Sequence, residues 1–420
     1  MNLVPALLTR FRSSSFAKDT AVLTLGTAVA QLAAIAAMPV LSRLYTPADF
    51  GLLAVFLAVS SIVATAITLR YETSILLPKE EAESVSLLLL SLALAIFFGS
   101  ILGITAWLLP EEMREILGLA PLGSWLPIAA LAGTATAVVA VGTAWFNRQR
   151  AYIKIAQLRI TQSGVSAIGG IALGIYGYTS GLLIAQISSM LLVSAVVLVS
   201  LRAMCTQSSK RAMRNVAMKH SVAPKYLLST SLLDVVTMQL PVLLITAWFS
   251  SEAAGQFSMA WKILGLPMAL IGGAVGQVFL QRFAQVWPDA GSARRLLFKT
   301  WKMLALVGVL PTILIMLFGE QLFSWILGGA WSGAGRIAAV IAPMLLAIFV
   351  SSPTSGIFLV LGLQKFSLFF GVAFLVYRTG CLYWGVVNNS VLYGLAAWVV
   401  CELITILIYN LIALKKMRMR

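Results

Sequence analysis

Twelve times along this chain the sequence runs through roughly 18–26 almost wholly apolar residues, enough for a helix to cross a hydrocarbon core of about 30 Å. The runs fall near 20–40, 50–69, 84–109, 121–146, 157–177, 180–201, 226–249, 255–281, 296–318, 337–361, 366–387 and 390–414. Continuous apolarity does not fit the alternating strands of a membrane barrel, so each run reads as a helix. Composition agrees. Of 420 residues, 60% are hydrophobic and 10% charged, at a mean hydropathy of +0.95, whereas a soluble domain carries about 25% charged residues. The expectation is an all-α polytopic membrane protein with twelve transmembrane helices.

The chain holds 30 Lys and Arg against 14 Asp and Glu, formally +16. With the N-terminus inside, 25 basic residues fall on the inward segments and the inner ends of adjoining spans, and three (Arg43, Arg114 and Arg336) on the outward loops. Such a bias places both termini in the cytoplasm, and it accounts for the basic charge without nucleic acid. The cluster Lys210, Arg211, Arg214 and Lys219 suits the anionic headgroups of membrane lipid. The lone His220 reads as a solvated loop residue. Cys205, Cys381 and Cys401 are scattered, so no disulfide or metal framework follows. No nucleotide-binding loop of the Gly-x4-Gly-Lys-Ser/Thr type occurs, and the outward loops are too short to form a catalytic domain. The residues therefore imply no cofactor, no metal and no enzyme.

Only the basic loop at 202–225 is long. It divides the spans six and six, predicting an N-terminal six-helix lobe over 1–201, a cytoplasmic linker over 202–225 and a C-terminal lobe over 226–420. A faint internal repeat supports this division. Pro39-Val40-Leu41 is followed by Asp49 and Gly51, and Pro241-Val242-Leu243 by Glu252 and Gly255. Thr20, Thr24, Thr27 and Gln31 share one face of span one, as Thr230, Asp234, Thr237 and Pro241 share one face of span seven. Two such stripes in equivalent halves suggest helices lining a shared watery cavity. Interhelical hydrogen-bonding is the alternative. Parallel halves imply a pseudo-twofold axis along the membrane normal.

Charged groups inside spans cost roughly 2.5–3.5 kcal/mol at helix centre, so they tend to face an interior and to be functional. Lys262 and Arg378 are candidates to hold an anionic headgroup. Asp234 and Glu402 are candidates to bind a coupling H+ or Na+. Structural pairs, Lys262 with Asp234 or Arg378 with Glu402, are the alternative. Arg43, Arg70 and Glu72 are candidates for a gate or an interface.

The stretch Leu41-Ser42-Arg43-Leu44-Tyr45-Thr46-Pro47-Ala48-Asp49-Phe50-Gly51 resembles the first outward loop of bacterial polysaccharide flippases. These are the O-antigen (Wzx-type) flippases of the multidrug/oligosaccharidyl-lipid/polysaccharide exporter superfamily. Arg70-Tyr71-Glu72 with Leu77-Pro78, and Trp261-Lys262-Ile263-Leu264-Gly265-Leu266-Pro267 followed by Gln277-Val278-Phe279, are similar to that family's second and eighth spans. The resemblance is densest over roughly 18–85. It implies a V-shaped pair of lobes around a central cavity in the bacterial inner membrane, rocking between inward- and outward-open states. Its cargo would be an undecaprenyl-pyrophosphate-linked oligosaccharide for O-antigen, capsule or exopolysaccharide. A polysaccharide polymerase and a chain-length regulator are the partners it implies. A small-molecule antiporter of the same superfamily, a membrane polymerase or glycosyltransferase, and a peptidoglycan-precursor flippase remain as alternatives.

Overall fold

The computed structural model describes residues 15–204 and 208–418, with the side chains of all but 15–25, 269, 359, 364–368 and 418. Among these residues the chain is all helix, without a strand. With no water in a bilayer core, a backbone that closes its own hydrogen bonds is the one these apolar runs can adopt. In chain order the helices are α1 (Ser15–Ala36), α2 (Met38–Leu44), α3 (Pro47–Ile67), α4 (Glu81–Leu108), the short α5 (Glu111–Ile116) and α6 (Leu126–Arg148). Then come α7 (Tyr152–Ile175), α8 (Gly181–Leu201), α9 (Lys210–Lys219), α10 (Leu228–Trp248) and α11 (Ser251–Pro267). Further along are α12 (Gly273–Val286), α13 (Ala290–Leu327), α14 (Ser332–Ser351), α15 (Gln364–Val387) and α16 (Val391–Arg418), with a single helical turn, Ile357–Val360, between α14 and α15.

Eleven stretches are long and apolar enough to cross a membrane. The expected fifth span, α7, has the length of a span at 24 residues but is not among these eleven. Its neighbours α1 and α8 flank it along its length.

The described residues divide into two compact units. One comprises residues to 44, 56–113 and 122–235; the other comprises 45–55, 114–121 and 236–420. In the first unit Leu88, Val141, Trp145, Val193 and Val197 pack into a core between α4, α6 and α8. The linker helix α9 belongs to this unit. Ser209 caps it by accepting from the Ala212 N–H at 3.2 Å, and Tyr71 Oη donates to the Ala217 carbonyl at 3.0 Å.

In the second unit Phe283, Leu297, Phe358 and Ala413 form a core that joins α12, α13 and α16. Proline shapes this unit. After Pro267 the ladder relaxes into a π turn over Met268–Gly272 before α12 resumes, because a proline removes one ladder bond and crowds the preceding turn. Pro353 sits in a 3-10 turn, Ser352–Thr354, that ends α14. The two glycines of the repeat meet here. A methyl group on Gly51 would strike the Ser251 carbonyl, and one on Gly255 would strike the Pro47 carbonyl. The first turns of α3 and α11 thus cross backbone against backbone. Phe50 packs edge-on to Trp331 beside the crossing, ring centres 5.0 Å apart.

Candidate functional site

Three residues expected in three different roles converge at one place in the second unit. Arg378 of α15 and Glu402 of α16 are both buried. Arg378 Nη2 donates to both Glu402 oxygens, at 2.9 and 3.1 Å, and Nε donates at 3.2 Å. Arg378 Nη1 donates to the backbone carbonyl of Thr237 at 3.2 Å. The Glu402 carboxylate also accepts from Trp398 Nε1 at 2.8 Å and from Tyr377 Oη. The guanidinium lies 5.0 Å from the Phe374 ring centre and 5.1 Å from that of Trp398. A buried charge is tolerable when it is paired and its hydrogen-bonding positions are filled; both conditions hold. Sequence reasoning found the pair as one alternative but missed Tyr377; Trp398 lies one turn from Glu402, on the same face of its helix.

Lys262 has a different environment. It lies eleven residues past Ser251 on α11, its side chain is exposed, and no carboxylate of its own unit is within ion-pair distance among the described residues. Its neighbour Trp261 stacks on Trp398 at 5.8 Å and meets Phe257 at a tilt, ring centres 5.7 Å apart, so α11 is anchored beside the buried ion pair while Lys262 stays open.

In the first unit, Asp234 is exposed on α10, without an ion pair inside that unit among the described residues. Thr230 of the same stripe is also exposed and bonds back to its own helix at the Tyr226 and Leu227 carbonyls. The stripe then passes into the second unit, where Thr237 is buried and its hydroxyl has no hydrogen-bond partner among the described residues.

Span one carries the matching stripe. The side chains of Thr20 and Thr24 lie outside the described residues. Thr27 accepts a hydrogen bond from Arg159 Nη1 of α7, and Gln31 holds a buried amide oxygen without a partner among the described residues. Arg159 was not singled out in the sequence, although Arg159, Gln162, Ser163 and Ser166 recur at the spacing of one helical face.

The gate or interface candidates have local partners. Arg43 Nη1 donates to the Pro39 carbonyl at 2.7 Å. Arg70 Nη1 pairs with Glu72 Oε1 at 2.9 Å, across a turn in which Leu69 and Arg70 both adopt left-handed backbone, at φ 49° and 62°. His220 departs from the solvated reading. It donates to Glu83 Oε1 at 2.7 Å, while Lys219 reaches Glu83 Oε2 at 2.8 Å. The end of the linker helix is thereby clasped to the first turn of α4. Cys381 and Cys401 are free thiols, sulfurs 3.6 Å apart; Cys205 lies outside the described residues.

Two adjoining cavities open where proline breaks the second unit's helices. One, of about 440 Å³, is lined by Gly272, Gly276, Gln277, Ser352 and Ser355. The other, of about 400 Å³, is lined by apolar residues such as Ile271, Val307 and Leu345, with Pro267 and Pro311. Met268 and Phe349 border both. None of the predicted site residues lines either.

An all-helical chain with eleven stretches long and apolar enough to cross a membrane has the fold of a multi-pass membrane protein. Solved structures agree. The chain is similar to the lipid II flippase MurJ in an inward closed conformation, at 12% identity over 94% of this chain and 87% of that one, TM-score 0.70. It is similar to a multidrug resistance MATE family transporter of the MOP superfamily in its inward-facing conformation, at 15% identity over 94% and 93%, TM-score 0.61. A MOP superfamily transporter from Pyrococcus furiosus matches at 15% identity over 95% and 93%, TM-score 0.54. These solved neighbours are transporters and a flippase, not enzymes. No curated protein matches in sequence. Residues 40–336 match the family described as "Polysaccharide biosynthesis protein", and the chain belongs to that family.

Proposed function

We propose that this protein is an inner-membrane flippase that carries undecaprenyl-pyrophosphate-linked oligosaccharide units from the cytoplasmic to the periplasmic leaflet, supplying O-antigen, capsule or exopolysaccharide assembly. The observation that carries this reading is Lys262: a cation eleven residues inside a membrane helix, exposed, in a member of a polysaccharide-biosynthesis family. Diphosphate and sugar hydroxyls cannot cross hydrocarbon unaided, whereas the polyprenyl tail gains by staying in lipid. Two six-helix lobes, 1–201 and 226–420, alternating about the linker 202–225, would shield the head while the tail slides outside. Thr24, Thr27, Gln31, Thr230 and Thr237 are the proposed polar lining. The downstream partners would be a polysaccharide polymerase and a chain-length regulator.

A lysine ammonium 4 Å from a phosphate gains about 4 kcal/mol at an effective dielectric of about 20. Desolvation reduces this to about 1–3 kcal/mol net for a charge-assisted hydrogen bond. Lys262→Ala therefore lowers polysaccharide export by about 10-fold at normal membrane abundance, and Lys262→Arg restores most of it. Export at the wild-type level from Lys262→Ala would refute the headgroup role.

A second reading, ion-coupled antiport of a small molecule, draws on Asp234, an exposed carboxylate in a span. Glu402 is the weaker coupling candidate, because Arg378 already neutralises it. The two readings part on cargo. In the first, Asp234→Asn removes the gradient dependence of flipping. In the second, cells lacking the protein export polysaccharide normally but lose resistance to a small cation.

A further inference from the structure

We propose that Arg159, held by Thr27, is a diphosphate-binding residue on the first unit, taking the anionic headgroup of the cargo named in the proposed function. The inference rests on that reading and adds a residue, a helix and a ligand contact to it.

The helix α7 has the length of a span yet is the expected crossing that is not among the eleven apolar stretches. Its polar residues are not scattered. Arg159, Gln162, Ser163 and Ser166 fall within about 60° of one line along the helix, at 100° per residue. The opposite side carries Ile168 and Ile175, 72% and 69% exposed, which suit contact with lipid tails. The polar side turns toward the helices that flank α7. Arg159 donates to Thr27 of α1, and Ser166 donates to Gln186 of α8 at 2.7 Å. One turn beyond Thr27, Gln31 keeps its buried amide oxygen without a partner among the described residues.

Arg159 stands seven residues past Tyr152, about 10 Å along the helix axis. A guanidinium stays charged at any physiological pH. Such a charge near the inner end of a span needs water and a counter-anion. Arg378 shows how the chain satisfies one internally, with a carboxylate, a carbonyl and two aromatic faces. Arg159 is exposed, and among the described residues no carboxylate is within ion-pair distance. Thr27 is a neutral partner that positions the guanidinium without neutralising it. Donors in a planar fork beside a hydroxyl match the paired oxygens of a diphosphate, which guanidinium binds bidentately.

An ordinary phospholipid phosphate, reached by snorkelling, has the same chemistry, and the test separates the two. Purified protein in nanodiscs is titrated with undecaprenyl diphosphate and, separately, with phosphatidylglycerol, for wild type, Arg159→Ala, Arg159→Lys and Thr27→Val. Thermal unfolding checks that each variant is folded. The expected result is at least a 10-fold weaker affinity of Arg159→Ala for undecaprenyl diphosphate. Arg159→Lys and Thr27→Val should lose less, and phosphatidylglycerol binding should not change. Wild-type affinity in Arg159→Ala overturns the inference and leaves the flippase reading intact. Equal losses for both lipids make Arg159 an interfacial anchor and also overturn it. If wild type binds no undecaprenyl diphosphate, the flippase reading fails and the inference falls with it.

Discussion

Arg378 and Glu402 form a closed group: the carboxylate accepts from Arg378, Trp398 and Tyr377, and the guanidinium also reaches the Thr237 carbonyl. Removing one partner of a buried pair leaves an uncompensated charge, at a cost of about 3–5 kcal/mol, whereas replacing both by apolar groups is often nearly neutral. Arg378→Leu alone and Glu402→Gln alone should each lower the unfolding midpoint in detergent markedly, and Arg378→Leu with Glu402→Leu should recover most of the loss. Single variants as stable as wild type would count against a structural role and return Glu402 to ion coupling. The sequence marked both residues as intramembrane charges but left their pairing open. Which face of α15 meets which face of α16 depends on packing between helices, and helical periodicity within either one does not report it.

At the scale of elements, the crossing of α3 and α11 depends on two glycines whose missing side chains let carbonyl groups approach. Small residues drive association in membranes because close backbone packing replaces the hydrophobic effect there. Gly51→Ala should cost about 1–3 kcal/mol, the usual range for overpacking, read as a lower unfolding midpoint in detergent. Gly103→Ala in α4, where an added methyl meets nothing within 4 Å, should be neutral or slightly stabilising. A Gly51→Ala protein as stable as Gly103→Ala would mean that the crossing contributes nothing. The repeat pointed to Gly51 and Gly255 as equivalent positions. Their meeting was not legible, because equivalence in sequence says nothing about contact. The helix α7 is the converse case: its polar face was present in the residues at 159, 162, 163 and 166, but which neighbours that face meets was not.

For the whole molecule, the testable expectation is topology. With 25 basic residues on one side of the layout and three on the other, both ends and the loop at Lys210–Lys219 should be cytoplasmic. A single cysteine placed after Leu414, in a background without Cys205, Cys381 and Cys401, should resist a membrane-impermeant thiol reagent in intact cells and react after permeabilisation. Labelling in intact cells would invert the layout. Length, apolarity and charge bias are sums over local residues, so the sequence alone determined that this is a multi-pass helical membrane protein and where nearly all its helices run. Family membership was also legible, in the motifs over 41–51 and 261–267. Neutralisation is different, because it depends on which helix faces turn together. Only the tertiary structure decided that Arg378 is spent on Glu402, that His220 is held by Glu83, and that Arg159 reaches Thr27 with its charge unmatched.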